Sequence, residues 1–146
     1  MTIINFILCD DIRSEVGNKK SLMGVYTKEL LFTTTNKKDS IWPKNLNLAI
    51  MVTFSLSSAI KQNAKTFKVT YLLNNIEKEL VKGEFILPTK ENKAKDSFEI
   101  TIFANAQYKF EACGKLIHFV KIYDSLGKEI AKAKALNEFV VEERSN

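Results

Sequence analysis

The order of apolar and polar residues along the chain predicts short β-strands. The clearest signal lies in residues 46–56, where every second residue is apolar over six positions. A period of two places all six side chains on one face of a strand. Further strand segments are predicted at residues 3–12, 21–32, 66–73, 79–87, 97–104, 108–112 and 116–123.

Turn residues separate these segments at short intervals. Asn74-Asn75 is a pair that reverses the chain readily, and Gly127 fits the left-handed position of a hairpin turn. Residues 57–65 are polar and fit a single helical turn. Residues 129–141 alternate alanine with lysine, which suits an edge strand, but the same composition favours helix. The sequence leaves strand and helix open for that segment.

About eight or nine short strands over 146 residues predict one domain, residues 1–146, with an all-β fold. The architecture most typical of this pattern is an antiparallel sandwich of two sheets, immunoglobulin-like or C2-like, with Greek-key connections. Tyr108 begins a late strand segment, as does the tyrosine that ties back a corner of immunoglobulin-like sandwiches. We therefore expect Tyr108 to have a structural role.

The formal net charge of +5 is concentrated in the middle of the chain. Residues 37–95 hold eleven basic and five acidic side chains, a balance that could attract a polyanion such as a nucleic acid. Only two residues of the chain are arginines, the side chain that most often makes bidentate phosphate and base contacts. Solvated loops are the simpler interpretation of this lysine-rich region.

The apolar run at residues 3–8 ends at Asp10 and is too short for a signal peptide or a membrane span. We therefore expect a cytoplasmic protein without a membrane partner. The single histidine, His118, lies inside an apolar strand segment, and neither cysteine has the spacing of a zinc site. The sequence predicts no catalytic residue, no metal and no cofactor.

The segment CDDIRSEVGNKKSLMGVY, residues 9–26, combines acids, an arginine and two glycines between apolar runs. Strand alternation places Asp10 on the apolar face, where an unpaired carboxylate is costly. Asp10 is expected to be turned outward by a bulge, or to be a structural clasp held by backbone amides or Arg13. Gly17 fits a hairpin turn, and Gly24 marks a bulge or a close backbone approach.

The residues of opposite alternation, Asp11, Arg13 and Glu15, are candidates for contact with a partner. Trp42, beside a proline in a loop, is another candidate, with a plug over the open end of the sandwich as its alternative role. A different interpretation groups Asp10, Asp11 and Glu15 as an enzymatic or metal-binding site.

This same segment resembles the opening signature of an uncharacterised family of small bacterial and phage-associated proteins, classed as a domain of unknown function. Members of that family begin with an apolar strand, followed by D-D-[IV]-R, a glycine-containing turn and S-L-x-G-[VI]-Y. The matching residues here are Asp10, Asp11, Ile12, Arg13, Glu15, Gly17, Lys19, Ser21, Leu22, Gly24, Val25 and Tyr26. The resemblance implies a small β-sandwich and no established activity.

The predicted function is that of a non-enzymatic β-sandwich that acts through protein–protein interaction, with self-association as one form of it. The sequence does not identify the partner. The alternative is polyanion binding through residues 37–95, and an enzyme or metal site at the three acids is the least supported interpretation.

Overall fold

The computed structural model describes residues 1–36, 40–86 and 97–145. Ten β-strands and one short helix follow each other in the order β1 (Thr2–Glu15), β2 (Lys19–Val25), β3 (Glu29–Thr34), β4 (Lys44–Ser57), α1 (Ser58–Asn63), β5 (Thr66–Leu73), β6 (Ile76–Glu84), β7 (Ser97–Phe110), β8 (Gly114–Tyr123), β9 (Glu129–Lys134) and β10 (Phe139–Ser145). The ambiguous segment 129–141 therefore contains strand residues and no helix.

The strands form two sheets that pack face to face. Sheet A has the order β2-β1-β4-β7, and sheet B has the order β3-β10-β8-β5-β6, with β9 also paired to β8. Pairing among the described strands is antiparallel except between β3 and β10, which are parallel. The prediction of an all-β, two-sheet sandwich is confirmed, with slightly more strands than expected.

The alternation predicted for residues 46–56 is present in β4. Leu48 to Leu56 bury every second side chain between the sheets, and Leu46 is half-buried at the end of the row. The inward residues of the other long strands complete one core, including Leu8, Tyr71, Tyr108, Phe110, Leu116, Val120, Phe139 and Val141. Burying one such apolar side chain stabilises the fold by about 1.5–3 kcal/mol.

Two strand predictions were wrong in their boundaries. Residues 21–32 form two strands, β2 in sheet A and β3 in sheet B, because the chain passes from one sheet to the other between them. The sequence predicts two strands at residues 97–104 and 108–112, but β7 is continuous to Phe110. The small side chain of Ala106 keeps the core alternation across the polar stretch that suggested a break.

The turn predictions are confirmed. Asn74 and Asn75 both have positive φ, 50° and 64°, and join β5 to β6. Gly127 has φ 78°, and its N–H donates to the carbonyl of Asp124 at 3.1 Å. The expected helical turn is α1, where the hydroxyl of Ser57 accepts from the N–H of Ile60 at 3.4 Å.

The hairpin of β1 and β2 separates from the rest of sheet A. Strand β1 pairs with β4 only as far as Cys9 opposite Ala49, and beyond that point it pairs with β2 alone. The turn between them uses Gly17 with φ 81°, as predicted. Near the hairpin tip, Lys20 Nζ lies 5.3 Å from the ring centroid of Phe103 in β7.

Candidate functional site

The centre of the outward surface of sheet A has no charged side chain among its strand residues. We call the central part of this surface outer face A and define it by twelve residues of β1, β2, β4 and β7. They are Asn5, Ile7, Cys9, Val25, Asn47, Ala49, Met51, Thr53, Thr101, Phe103, Asn105 and Gln107. Glu99 and Lys109 have the same alternation but lie toward the ends of β7, and Cys9 and Ala49 are buried. This surface is unusual in a chain with 27% charged residues.

The middle row of outer face A is apolar. Ile7, Met51 and Phe103 are paired neighbours on three adjacent strands. Phe103 is 41% exposed, and Val25 at the edge of the face is 51% exposed. Methionine and aromatic residues are enriched at the centres of protein interfaces, and lysine and glutamate are depleted there. Outer face A therefore has the composition of an interaction surface.

The outward surface of sheet B, which we call outer face B, is lined with charge. It is formed by the outward residues of β5, β6, β8 and β9. Lys121 Nζ lies 2.6 Å from Glu77 Oε1, and Lys68 Nζ lies 3.4 Å from Glu79 Oε1. The hydrogen bond from Lys121 lowers the pKa of Glu77. These ion pairs make outer face B a solvated surface.

A cleft opens where the hairpin leaves β4. Its volume is about 280 Å³. The residues that line it are Asp10, Asn47, Leu48, Asn105, Ala106 and Gln107. Three of these side chains are primary amides and one is a carboxylate, whereas Leu48 and Ala106 are buried and apolar. The side chains of Leu48 and Ala106 belong to the core between the sheets, so the side chains that the cleft exposes are polar.

The carboxylate of Asp10 is held in a fixed position. Tyr26 Oη donates to Asp10 Oδ1 at 2.7 Å. Burial and the neighbouring Asp10 carboxylate raise the pKa of Tyr26 to about 12. A Cβ atom at Gly24 would collide with Asp10 Oδ2, so only glycine leaves room for the carboxylate there. The predicted close approach at Gly24 is confirmed.

One expected contact of Asp10 is not found. Asp10 is exposed, as the outward alternative expected, but Arg13 does not bind it. Arg13 Nε instead donates to Asp11 Oδ2 at 3.1 Å, in a pair whose side chains are 63% and 52% exposed. An exposed pair of this kind contributes little to stability. Asp10 is a clasp residue through Tyr26, a partner that the strand alternation did not suggest.

The three acids of the segment do not converge on one point. Asp10 binds Tyr26, Asp11 binds Arg13, and Glu15 Oε1 accepts from Ser21 Oγ at 3.0 Å. Within the described ranges, no group of three or more metal-ligating side chains is found. The interpretation of these acids as a shared metal or catalytic site gains no geometric support.

Trp42 is half-buried at one end of the sandwich. Its Nε1 donates to Glu143 Oε2 at 3.2 Å, and Ser40 Oγ donates to the same oxygen at 2.6 Å. Lys44 Nζ lies 3.3 Å from Glu143 Oε1. The hydrogen bond from Ser40 is the largest effect that lowers the pKa of Glu143. These contacts join β4 to β10 and favour the plug over the partner-contact interpretation of Trp42.

Tyr108 is structural but does not tie back a corner. It is fully buried within β7, and its Oη lies 2.7 Å from His118 Nε2. Tyr71 makes the main-chain bonds expected of a tyrosine clasp. Its Oη donates to the carbonyl of Lys109 at 3.0 Å and accepts from the Lys109 N–H at 3.3 Å. Tyr71 thereby links β5 to β7, and only its core-facing alternation in residues 66–73 pointed to it.

Several lysines of the basic middle region are paired with acids. Lys44, Lys68 and Lys78 lie 3.3, 3.4 and 3.1 Å from glutamate oxygens. The lysines at positions 37, 38, 90, 93 and 95 lie outside the described residues. The polyanion alternative therefore depends mainly on residues that the structure does not describe.

Fold and surface together define an all-β sandwich in which one outer face has few charges at its centre and the other is lined with ion pairs. No protein-family model and no curated protein matches the chain. The resemblance of residues 9–26 to an uncharacterised family stays a prediction. In the part of the chain that the structure describes, no helix has the length and apolar character needed to cross a membrane.

Proposed function

We propose that this protein is a non-enzymatic β-sandwich that binds another protein through outer face A. The observation that carries the proposal is the uncharged centre of that face, with the apolar row of Ile7, Met51 and Phe103 across three strands. Burying such a row removes apolar surface from water without desolvating a charge. The same burial on outer face B would desolvate its ion pairs, which is costly.

A second copy of the chain is a suitable partner. Two molecules that each carry a net charge of +5 repel one another, and the repulsion is smallest where the contact surface itself is uncharged. Most symmetric dimers use the same surface of both subunits, so a self-complementary row of apolar residues suits such a contact. Lys20 Nζ lies 5.3 Å from the ring centroid of Phe103, so the contact must also accommodate this cation.

The cellular setting of this proposal comes from the sequence. The proposal includes a cytoplasmic location, and the resemblance of residues 9–26 favours a bacterial or phage context. Fractionation of the source cell and the identity of the neighbouring genes would test both parts. Recovery of the protein outside the cytoplasm would contradict the first.

The interface is tested by placing a charge in its centre. We expect Phe103→Glu to abolish self-association, or capture of the partner, because the new carboxylate must be desolvated in the contact. Size-exclusion chromatography with light scattering and a pull-down from the source cell measure the two forms of binding.

Phe119→Glu is the matched control for this experiment. Phe119 is an outward phenylalanine on outer face B, and Lys132 Nζ lies 4.4 Å from its ring centroid, so a carboxylate there gains a nearby cation. We expect this variant to bind as the wild type does. A wild-type protein that is strictly monomeric and captures no partner would contradict the proposal, as would unchanged binding by Phe103→Glu.

A further inference from the structure

Strand β7 forms one edge of sheet A. Among the described strands of that sheet, its only neighbour is β4. The N–H and C=O groups of Lys109 bond Tyr71 Oη at 3.3 and 3.0 Å, so they point away from β4. Main-chain groups of an antiparallel strand point to the same side at every second residue. The outer edge of β7 therefore presents the N–H and C=O groups of Thr101, Phe103, Asn105 and Gln107.

The outermost strands of the two sheets differ in how well they resist pairing with another strand. Strand β2 has seven residues and begins with two lysines, and β3 has six residues. Strand β6 has five charged residues among nine and a register shift against β5. Strand β7 is 14 residues long, and its segment 100–108 contains no charged residue, glycine or proline. A long edge strand of this composition pairs readily with a further strand.

Apolar side chains beneath β7 also reach this edge. Ile100, Ile102 and Ala104 have the core-facing alternation but are only half-buried. The core-facing residues that follow them, from Ala106 to Phe110, are buried. A strand placed beside β7 would remove apolar surface of the first three residues from water, which is favourable.

The charges of β7 are placed symmetrically about its centre. Glu99 and Lys109 both have the outward alternation, and each lies five residues from Ala104. In a dimer with a two-fold axis, residue i of one copy contacts residue j of the other, and j contacts i. Antiparallel pairing of two β7 strands about an axis at Ala104 therefore places Glu99 of each copy opposite Lys109 of the other. The same register joins the outward N–H groups to outward C=O groups.

Both charged side chains are accessible for this pairing. Glu99 is exposed and makes no ion pair within the described ranges. Lys109 Nζ lies 3.9 Å from Glu111 Oε1, and the Lys109 side chain is 56% exposed. Lys78 Nζ is closer to the same glutamate oxygen, at 3.1 Å. Because Tyr71 occupies the main chain of Lys109, the new ladder would end at Gln107, and beyond it only the side chains of Glu99 and Lys109 meet.

From these observations we propose that β7 pairs with β7 of a second copy of this chain, in the antiparallel register centred on Ala104. The two A sheets then form one continuous sheet. This contact uses the edge of sheet A rather than outer face A, so it goes beyond the proposed protein interface and does not depend on it. In the dimer the two outer faces A lie side by side, and both stay open to a partner.

The test exchanges the charges of the full chain and measures the dimer dissociation constant by light scattering over a range of concentrations. We expect Glu99→Lys and Lys109→Glu each to weaken the dimer about tenfold, because both charge pairs across the axis become repulsive. The double variant should regain the wild-type affinity. The two single variants change the net charge in opposite directions, so a general effect of net charge would strengthen one dimer and weaken the other.

Glu84→Lys is the matched control. Glu84 is an exposed residue at the end of β6 in the other sheet, and its reversal should leave the dimer unchanged. Thermal unfolding checks that every variant is folded. In the wild type, hydrogen exchange of the outward amides from Thr101 to Gln107 should slow as the protein concentration rises, because the ladder protects them.

The variant Ile7→Glu distinguishes this contact from one through outer face A. Ile7 lies on β1, two strands from β7, so the edge dimer should persist in this variant while a contact through outer face A is lost. A strictly monomeric wild type would overturn the proposal, as would a double variant that stays as weak as the single ones. So would outward amides that become protected only when a different protein is added, since the edge would then bind that protein.

Discussion

The two outer faces of the sandwich are built from the same strand geometry and differ in what they present to water. The centre of outer face A contains the half-buried Met51 and the exposed Phe103, and Lys20 of the hairpin lies over the Phe103 ring without an acidic partner among the residues of that face. Outer face B places Lys121 between Glu77 and Glu129, at 2.6 and 4.0 Å. A charged sheet face resists burial because its ions must be desolvated. The comparison shows that burial of the centre of outer face A would desolvate fewer charges than burial of outer face B, which is why we propose outer face A as the interface.

The two sheets also differ in the ionisable groups that they contribute to the core. Sheet B contributes His118 to the core, with an exposure of 0% and its ring stacked on Phe6 at a centroid distance of 4.2 Å. Burial lowers the pKa of His118 to about 3. Its Nδ1 is buried and has no hydrogen-bond partner within the described residues. We therefore expect that lowering the pH destabilises sheet B before it destabilises sheet A.

The largest expected effect is a loss of stability at low pH. Its cause is His118, which is buried in the neutral form. Between pH 6.5 and about 3 the unfolded chain binds a proton on this histidine and the folded chain does not, so stability falls as pH decreases. The full loss is on the order of 4 kcal/mol at pH 3, since one pKa unit corresponds to about 1.4 kcal/mol. Denaturant unfolding at a series of pH values measures it.

The variant His118→Gln separates this effect from that of the carboxylates. Glutamine does not titrate and keeps a polar atom near Tyr108 Oη, so the fall in stability from pH 6.5 to 4.5 should disappear. Glu77, whose pKa is lowered, contributes stability that is lost only as pH falls below 4.5. An unchanged pH profile in His118→Gln would show that another group causes the acid sensitivity.

The next effect concerns the hairpin that borders outer face A. We expect Gly24→Ala to destabilise the protein by about 2–3 kcal/mol, because φ of 66° strains a residue with a Cβ and that atom would collide with Asp10. Gly17→Ala is the matched control, since Gly17 also has positive φ but a Cβ atom there would meet no other atom within 4 Å. We expect the Gly17→Ala variant to lower the free energy of unfolding by about 1 kcal/mol.

The double variant Gly24→Ala with Asp10→Ala sharpens this prediction. Removal of the Asp10 carboxylate relieves the collision, so the double variant should be more stable than Gly24→Ala alone. Thermal unfolding of the wild type and the three variants measures the difference. Equal costs for Gly24→Ala and Gly17→Ala would show that the close approach to Asp10 is not what requires glycine.

Much of the fold could be predicted because period-two alternation is a local property. The six apolar positions of β4 and the Asn74-Asn75 turn follow from neighbouring residues alone. The passage from β2 to β3 could not be predicted, since only the pairing with distant strands places the two in different sheets. The parallel pairing of β3 with β10 could not be predicted either, because it also joins residues that are distant in the sequence.

The candidate site was predictable only in part. Gly24 could be recognised because glycine within a strand usually marks a bulge or a close backbone approach. The partner of Asp10 could not be recognised, because Tyr26 lies sixteen residues away and meets it only through the hairpin register. No sequence pattern indicated that Asn47 or Gln107 belongs to a candidate site. Isolated amides on exposed strand positions are common, and only the pairing of β4 with β7 brings these two together.

A smaller effect tests the link between the two sheets. We expect Tyr71→Phe to destabilise the protein by about 1–2 kcal/mol, because the buried ring remains while two hydrogen bonds to the Lys109 main chain are lost. Tyr123→Phe is the control, since the hydroxyl of Tyr123 makes no hydrogen bond within the described residues. Similar losses in the two variants would argue against a clasp role for Tyr71.

The smallest effect returns to outer face B. Lys121→Met removes the ion pair with Glu77 but keeps the aliphatic packing of the side chain, so stability should change by less than about 1 kcal/mol. The new methionine makes this face more like outer face A. If charge is what keeps outer face B free of partners, the variant should associate more strongly than the wild type in light scattering. The difference should be clearest at high salt, where repulsion between the remaining lysines is screened. Association that is unchanged by Lys121→Met would mean that the shape of a face, rather than its charge, decides which side of the sandwich meets a partner.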